Sequence, residues 1–365
     1  MDNLRYNKRT LAKTDVISGC DLVEQITRYF AHTLAEGAIC VIYDRNVTEL
    51  AERVTQEFKL SGYRVFVQAV SSIRSAGEVQ SLVIPEYVRH IFAVGAGTAS
   101  EYAKKYAKSL GIDWSLYLTA PSTDTVLLGT APKTVFIDES VLINCPFECK
   151  AAGYGILFSQ PLSAFESLFA KKVLARNAGE VSIPSQEVNS LTELAMALLE
   201  ISLTYKKDSA QIMSEVLYAN AVKRGQTPRL IGEYKFLASA CITAFYSSFL
   251  GAPSIDAMPP ACREVAADRL LSLGVAGNRS KSVDFFDTNS YFRISYILSE
   301  YRTDLLDKLG SIDFHTSQRF WRRLYPDAGY WLKGEITCRT LIDCLTLAGY
   351  GSDNLLGFAY ASGIL

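Results

Sequence analysis

Five short β-rich runs that alternate with helical patterns constrain this chain most. They are "AICVIYD" (38–44), "YRVFVQAV" (63–70), "HIFAVG" (90–95), "SLYLT" (115–119) and "TVFID" (134–138). Between the first two, "VTELAERVTQEFKLSG" places apolar residues at helical spacing and closes on a glycine. A second helical pattern follows Gly95 and Gly97. Strand–helix alternation of this kind predicts an α/β domain with a mostly parallel, doubly wound sheet.

Beyond about residue 150 the texture changes. "SLTELAMALLEISLTYK", "SAQIMSEVLYANAVKRG", "EYKFLASACITAFYSSFLG", "REVAADRLLSLG", "SYFRISYILSEYRTDLLDKLG" and "TCRTLIDCLTLAG" all read as helices. Several end at glycine, the residue a left-handed cap requires. The expected organisation is an α/β domain over 1–150 and an all-α domain over 151–365, with the boundary near "INCPFECKAAGYG" (143–155). Ligands of open α/β sheets bind beyond the carboxyl ends of the strands. The crevice between the two domains is therefore the expected site.

Composition narrows the function classes. With 49% hydrophobic residues and 21% charged ones, the 365-residue chain can bury a sizeable core. A net charge of −1 gives no electrostatic case for nucleic acid. The start is polar and basic without the apolar stretch of a secretory signal, and no segment approaches the ~18 apolar residues of a membrane span. Eight scattered cysteines suit a reducing compartment. The expectation is a cytoplasmic protein with no nucleic-acid partner and no membrane insertion.

The strongest local signal is "AVGAGTASEYAKKYA" (93–107), a strand that turns on Gly95 and Gly97 into a helix. Backbone N–H groups at such a helix start, with the helix dipole behind them, favour an anion. The turn is not a full dinucleotide fingerprint, since Ser100 stands where a third glycine belongs. Read alone, it fits a structural turn as well as a phosphate site. In "LTAPSTD" (118–124), Thr119, Ser122, Thr123 and Asp124 offer hydroxyls and a carboxylate to a nucleotide or polyol, or else a plain turn or helix cap. Asp44, closing its strand, suits ribose hydroxyls or the start of a turn.

Histidine is scarce: His32, His90 and His315 are too far apart for a helical ligand pair. Each reads as a surface or packed residue. Cys145, Cys149, Cys338 and Cys344 read as free buried thiols, and Phe245, Tyr246 and Phe249 as core.

In order, these pieces resemble the metal-dependent polyol dehydrogenases, a family that also includes dehydroquinate synthase, and most of all its glycerol-1-phosphate dehydrogenases. The family's G-G-G-T-x-x-D-x-x-K-x-x-A corresponds to Gly95, Ala96, Gly97, Thr98, Glu101, Lys104 and Ala107, with the middle glycine and the aspartate changed. Its T-x-x-S-x-D matches Thr119, Ser122 and Asp124. The likeness is colinear over about 16–270. It implies NAD or NADP as cofactor, held by Gly95, Ala96, Gly97, Thr98, Ala99, Lys104, Thr119 and Ser122, with the strand-end Asp44 as the candidate for its ribose hydroxyls, and a polyol or polyol phosphate substrate contacted by Asp124.

The chain departs from the family at the metal site. Ile156 stands where the resemblance implies an aspartate ligand, and Tyr234 follows Glu233 where it implies a histidine. Around the second histidine position the sequence offers Ala261, Cys262 and Arg263. No metal is expected. Lys235 and Arg263 flank the vacated positions and are candidate replacements for the cation, or else solvated surface charges. The connection from Asp124 to Asp138 is also shorter than in the family, where it carries a hairpin beside the active site. Two functions follow. One is an NAD(P)-dependent oxidoreductase for a small polyol or its phosphate, compatible with a homo-oligomer. The other is an inactive relative kept for nucleotide-regulated binding or protein assembly.

Overall fold

The structure is a computed structural model. It describes residues 6–30, 37–71, 81–252, 264–274, 285–286, 288–312 and 336–365. The chain divides into two units: Met1–Gly153 with Pro184–Tyr205, and Tyr154–Ile183 with Lys206–Leu365.

The first unit is an α/β layer structure. Its strands are β1 (Tyr6–Leu11), β2 (Thr14–Gly19), β3 (Ala38–Asp44), β4 (Arg64–Val70), β5 (Val88–Gly95), β6 (Asp113–Leu118) and β7 (Thr134–Asp138). Its helices are α1 (Val23–Phe30), α2 (Thr48–Leu60), α3 (Gly97–Leu110) and α4 (Glu139–Ile143), followed by the start of α5 (Phe147–Lys172) and by α6 (Leu191–Leu203). One seven-stranded sheet runs in the order β1-β2-β7-β6-β5-β3-β4. Every neighbouring pair is parallel except β1 with β2.

The strands expected from the sequence are β3 to β7. Apart from β4, which is at a sheet edge and only partly buried, their period-2 alternation buries both faces. Cys40, Ile42, Ile91, Ala93, Val135 and Ile137 belong to one core, with Ala99, Tyr102, Ala103 and Ala107 of α3. Ile39, Val41, Phe92, Val94 and Phe136 belong to the other, with α1 and α2 contributing Val23, Ile26, Phe30, Ala51, Val54 and Phe58. Helices on both faces make the doubly wound arrangement that the alternation predicts. The β1–β2 hairpin is the addition. β1 lies at a sheet edge and is largely exposed, so its Lys8 and Arg9 hide the strand pattern.

The segment around α6 differs from the expected division near residue 150. Ala195 and Leu199 of α6 join the core on the α3 face of the sheet, and the Ser202 hydroxyl accepts the Leu127 N–H at 2.7 Å. The stretch Pro184–Tyr205 accordingly groups with the α/β unit.

The second unit is helical, as expected: the remainder of α5, then α7 (Ser209–Lys223), α8 (Ile231–Gly251), α9 (Glu264–Ser272), α10 (Thr288–Gly310), α11 (Cys338–Tyr350) and α12 (Leu355–Ala361). One core gathers Phe165 and Phe169 of α5, Met213 and Val216 of α7, Ile242 and Tyr246 of α8 and Phe358 of α12. Phe249 is buried and Phe245 packs partly buried against the same core, as read from the sequence. Cys145 and Cys344 are buried free thiols, but Cys149 is only half-buried and Cys338 is exposed at the start of α11. Helix α5 interrupts the expected boundary because its glycines do not break it. A Cβ on Gly155 would overlap the carbonyl oxygen of Gly232, so glycine lets α5 and α8 touch backbone to backbone. Among the described residues, no helix is long and apolar enough to cross a membrane.

Candidate functional site

The α/β unit changes direction between β3 and β5. From β3 the chain passes to β4 on one side, then returns to β5 on the other and continues through β6 to β7. This is a topological switch point, where neighbouring carboxyl ends splay and leave room for a ligand. Tyr43 pairs with Val94, and Gly95 with Leu118, so Asp44 and Gly95 end adjacent strands and Thr119 follows the last residue of β6.

Gly95 is fixed by crowding. A Cβ there would stand 2.7 Å from Ala99 Cβ and 3.5 Å from Asp44 Cβ, and its φ of +154° is one L side chains rarely adopt. Its carbonyl accepts the Thr119 N–H at 3.0 Å, which ties the loop after β6 to the turn. Ala96 precedes α3 and has no side-chain acceptor for the first-turn N–H groups. The starts of α2 and α8 likewise lack a side-chain cap at Val47 and Leu230, whereas the caps of α6, α7 and α11 (Ser190, Asp208 and Thr337) each accept a backbone N–H through a side-chain oxygen. Ala96, Gly97 and Thr98 are half-buried, and Ala99 is fully buried in the core.

The loop 119–128 lies over this helix start. A Cβ on Gly97 would meet the Thr123 Cβ at 3.8 Å, an ordinary contact. Thr119 and Asp124 are buried and Ser122 is half-buried. The structure thus brings together Asp44, Gly95, Ala96, Gly97, Thr98 and the Thr119–Asp124 loop. Asp44 also acts locally, its Oδ1 accepting the Asn46 N–H at 3.0 Å in the turn after β3.

Two sets of contacts escape sequence reading, although Lys104 itself was expected at the site. Lys104 Nζ donates to Glu101 Oε1 at 2.8 Å and to the Thr125 carbonyl at 2.7 Å. Asp138, buried at the end of β7, accepts the Leu22 N–H at 2.8 Å, the Ser140 N–H at 3.0 Å and the Tyr117 hydroxyl. Burial and then this carboxylate push the Tyr117 phenol far above its ordinary range. Asp138 thereby locks the ends of β2, β6 and β7 together. The only signals in the sequence were the strand-end position of Asp138 and the glutamate at 101.

Of the other expected site residues, Lys235 lies in α8 of the helical unit and is 1% exposed. Burial removes the reading of Lys235 as a solvated surface charge. Arg263, Ala261, Cys262, His32 and His315 lie outside the described residues. His90 is a packed histidine, its Nε2 3.1 Å from Ser115 Oγ.

Two positions where the resemblance implies metal ligands do not fit a divalent cation. The Ile156 side chain is buried and has no lone pair to give. The Tyr234 hydroxyl accepts the Arg229 N–H at 3.3 Å. Neighbouring Glu233 accepts the Leu230 N–H at 3.2 Å and pairs with Arg229 at 3.5 Å, capping α8. Among the described residues, no three His, Cys, Asp or Glu side chains cluster to hold a metal.

Comparison with known proteins places these features. No family profile matches the chain. A curated glycerol-1-phosphate dehydrogenase [NAD(P)+] from Bacillus velezensis is 26% identical over 190 residues, 46% of this chain. The match spans 47% of that relative's length. The crystal structure of glycerol dehydrogenase from Schizosaccharomyces pombe superposes with a TM-score of 0.51 at 14% identity, covering 89% of this chain and 95% of the other. The chain has the glycerol dehydrogenase fold. An archaeal alcohol dehydrogenase from a Red Sea brine pool gives a TM-score of 0.50 at 12% identity, over 98% of this chain and 94% of the other. The resemblance seen in the sequence holds at the level of fold and of a curated relative.

Proposed function

We propose that this protein binds NAD or NADP at the start of α3 and acts as an oxidoreductase on a small polyol or polyol phosphate, without the usual metal ligands. One observation carries the reading: a helix start without a side-chain cap opens at the β3/β5 switch point, under a hydroxyl-bearing loop. The curated relative's name, which includes NAD(P)+, supports the choice of ligand.

A nicotinamide dinucleotide supplies the hydride acceptor when bound. The chain's own residues bind and orient. The N–H groups of Gly97, Thr98 and Ala99 offer donors to a diphosphate, and the absent side chain at Gly97 leaves it room to approach. Asp44 takes ribose hydroxyls, Thr119 and Ser122 reach the dinucleotide, and Asp124 accepts a hydroxyl of the polyol.

Calorimetric titration of the metal-stripped protein with NADH and then NADPH tests this. Micromolar binding that Gly97→Asp abolishes is expected, because a carboxylate there repels the diphosphate. No heat with either nucleotide overturns it.

Ile156 and Tyr234 favour a second reading, an inactive relative that keeps the fold for nucleotide-regulated binding or protein assembly. Nucleotide binding without turnover across a panel of polyols and polyol phosphates is its signature.

A further inference from the structure

We propose that Lys104 is a positioning residue of the dinucleotide site: through Glu101 and Thr125 it fixes the Thr123 hydroxyl over the start of α3, and it does not itself contact the phosphates. The inference rests on the reading of that helix start as the diphosphate cradle.

The geometry directs Lys104 away from a ligand. It lies seven residues beyond Gly97, about 10 Å of helical rise at ~1.5 Å per residue. Its ammonium spends two donors within the protein, on Glu101 Oε1 at 2.8 Å and on the Thr125 carbonyl at 2.7 Å. The same Glu101 Oε1 receives the Thr125 hydroxyl at 3.1 Å. Thr125 Oγ1 is in turn 3.1 Å from Thr123 Oγ1, and the Thr125 N–H reaches that oxygen at 3.4 Å. The chain of contacts ends at Thr123, which stands against Gly97 at ordinary contact distance.

At its far end the loop is held by a different anchor, the Leu127 N–H on Ser202 of α6. The Glu101–Lys104 pair fastens Thr125, in its middle, to α3. Glu101 is 43% exposed, so the ion pair adds little to global stability. Its role is to set where one hydroxyl stands. An aspartate at 101, as in the related motif, would be one methylene shorter, so glutamate supplies the reach that this contact uses.

The test is NADH titration by calorimetry on the full chain, with thermal unfolding measured alongside. The variants are Lys104→Met, Lys104→Arg, Glu101→Gln and the Glu101→Gln/Lys104→Met double. Lys104→Met and Glu101→Gln are each expected to weaken binding about tenfold. The double variant weakens it no further, because both changes release the same loop. Lys104→Arg retains affinity within about threefold. A phosphate-contacting Lys104 behaves differently: Glu101→Gln frees the ammonium and tightens binding, which overturns the proposal. So does a fall in unfolding temperature with unchanged affinity, the mark of a merely structural pair. Failure is separable from that of the cradle itself, since a wild-type chain that binds no NADH removes both, while unchanged affinity in every variant removes only this one.

Discussion

Gly153 of α5 is pressed against Pro121: a Cβ at 153 would overlap the Pro121 carbonyl oxygen and stand 3.2 Å from Leu194 Cδ2. The glycine therefore sets how far the loop 119–128 comes down on α5. Together with the Thr119–Gly95 hydrogen bond, it fixes the loop from below as well as from the strand.

Gly153→Ala tests this. The methyl group meets backbone, which cannot swing aside like a flexible side chain, so overpacking is expected to cost about 1–3 kcal/mol. Urea unfolding reads that loss. NADH affinity is expected to fall with it, because the loop must lift. Lowered stability with full affinity would separate the loop from the nucleotide site.

The same glycine shows where sequence reading stops. Strands β3, β5, β6 and β7 were legible because each is an apolar run buried on both faces, β4 because of its β-branched and aromatic run at the sheet edge, and the turn at Gly95 because glycine there ends a strand and precedes a helical repeat. Helix α5 was not: the expected domain boundary near 143–155 falls inside it, and it runs on through Gly153, Gly155 and Pro161. The two glycines serve close backbone approach, a tertiary cause that local spacing does not carry. The same holds for Lys104, which meets Thr125 across 21 residues of sequence.

His90 gives the α/β unit an acid weakness. Burial lowers its imidazole from 6.5 to about 4, and among the described residues Nδ1 has no hydrogen-bond partner. The folded state thus holds fewer protons than the unfolded one. The stability from neutral His90 is present above pH 6.5 and is lost as the pH falls toward 4, by about 3 kcal/mol at most. Chemical unfolding between pH 4 and 8 is expected to show this slope in the wild type and a flatter one in His90→Gln. Parallel slopes would remove His90 as its source.

Glu166 of α5 gives the helical unit the opposite slope. Its Oε1 accepts the Tyr246 hydroxyl at 2.6 Å, and its Oε2 accepts the Ser209 N–H at 3.0 Å and the Asn354 amide at 2.8 Å. Burial, then the Asp208 carboxylate, raise it from 4.5 to about 7 against these donors. Here the folded state holds more protons. The contribution is complete below pH 4.5 and is lost as the pH rises through about 7. Glu166→Gln is expected to flatten the decline in stability between pH 5 and 8, whatever it does to absolute stability. A decline of unchanged slope would place its origin in another group.

Ile156 supplies the sharpest check on the second unit. Aspartate at this position would restore the carboxylate that the family resemblance implies, but would bury it where isoleucine is 3% exposed. An uncompensated buried carboxylate is destabilising by several kcal/mol. Ile156→Asp is therefore expected to unfold at a markedly lower temperature. Zinc should not restore it, because binding stabilises a fold only where the native state offers a site. Tyr234 still occupies the next ligand position with its hydroxyl taken by Arg229. Thermal unfolding with and without zinc, after chelation of adventitious metal, reads the difference. Recovery of several degrees on adding zinc would mean that donors converge at Ile156 after all, and would return metal-assisted chemistry to this protein.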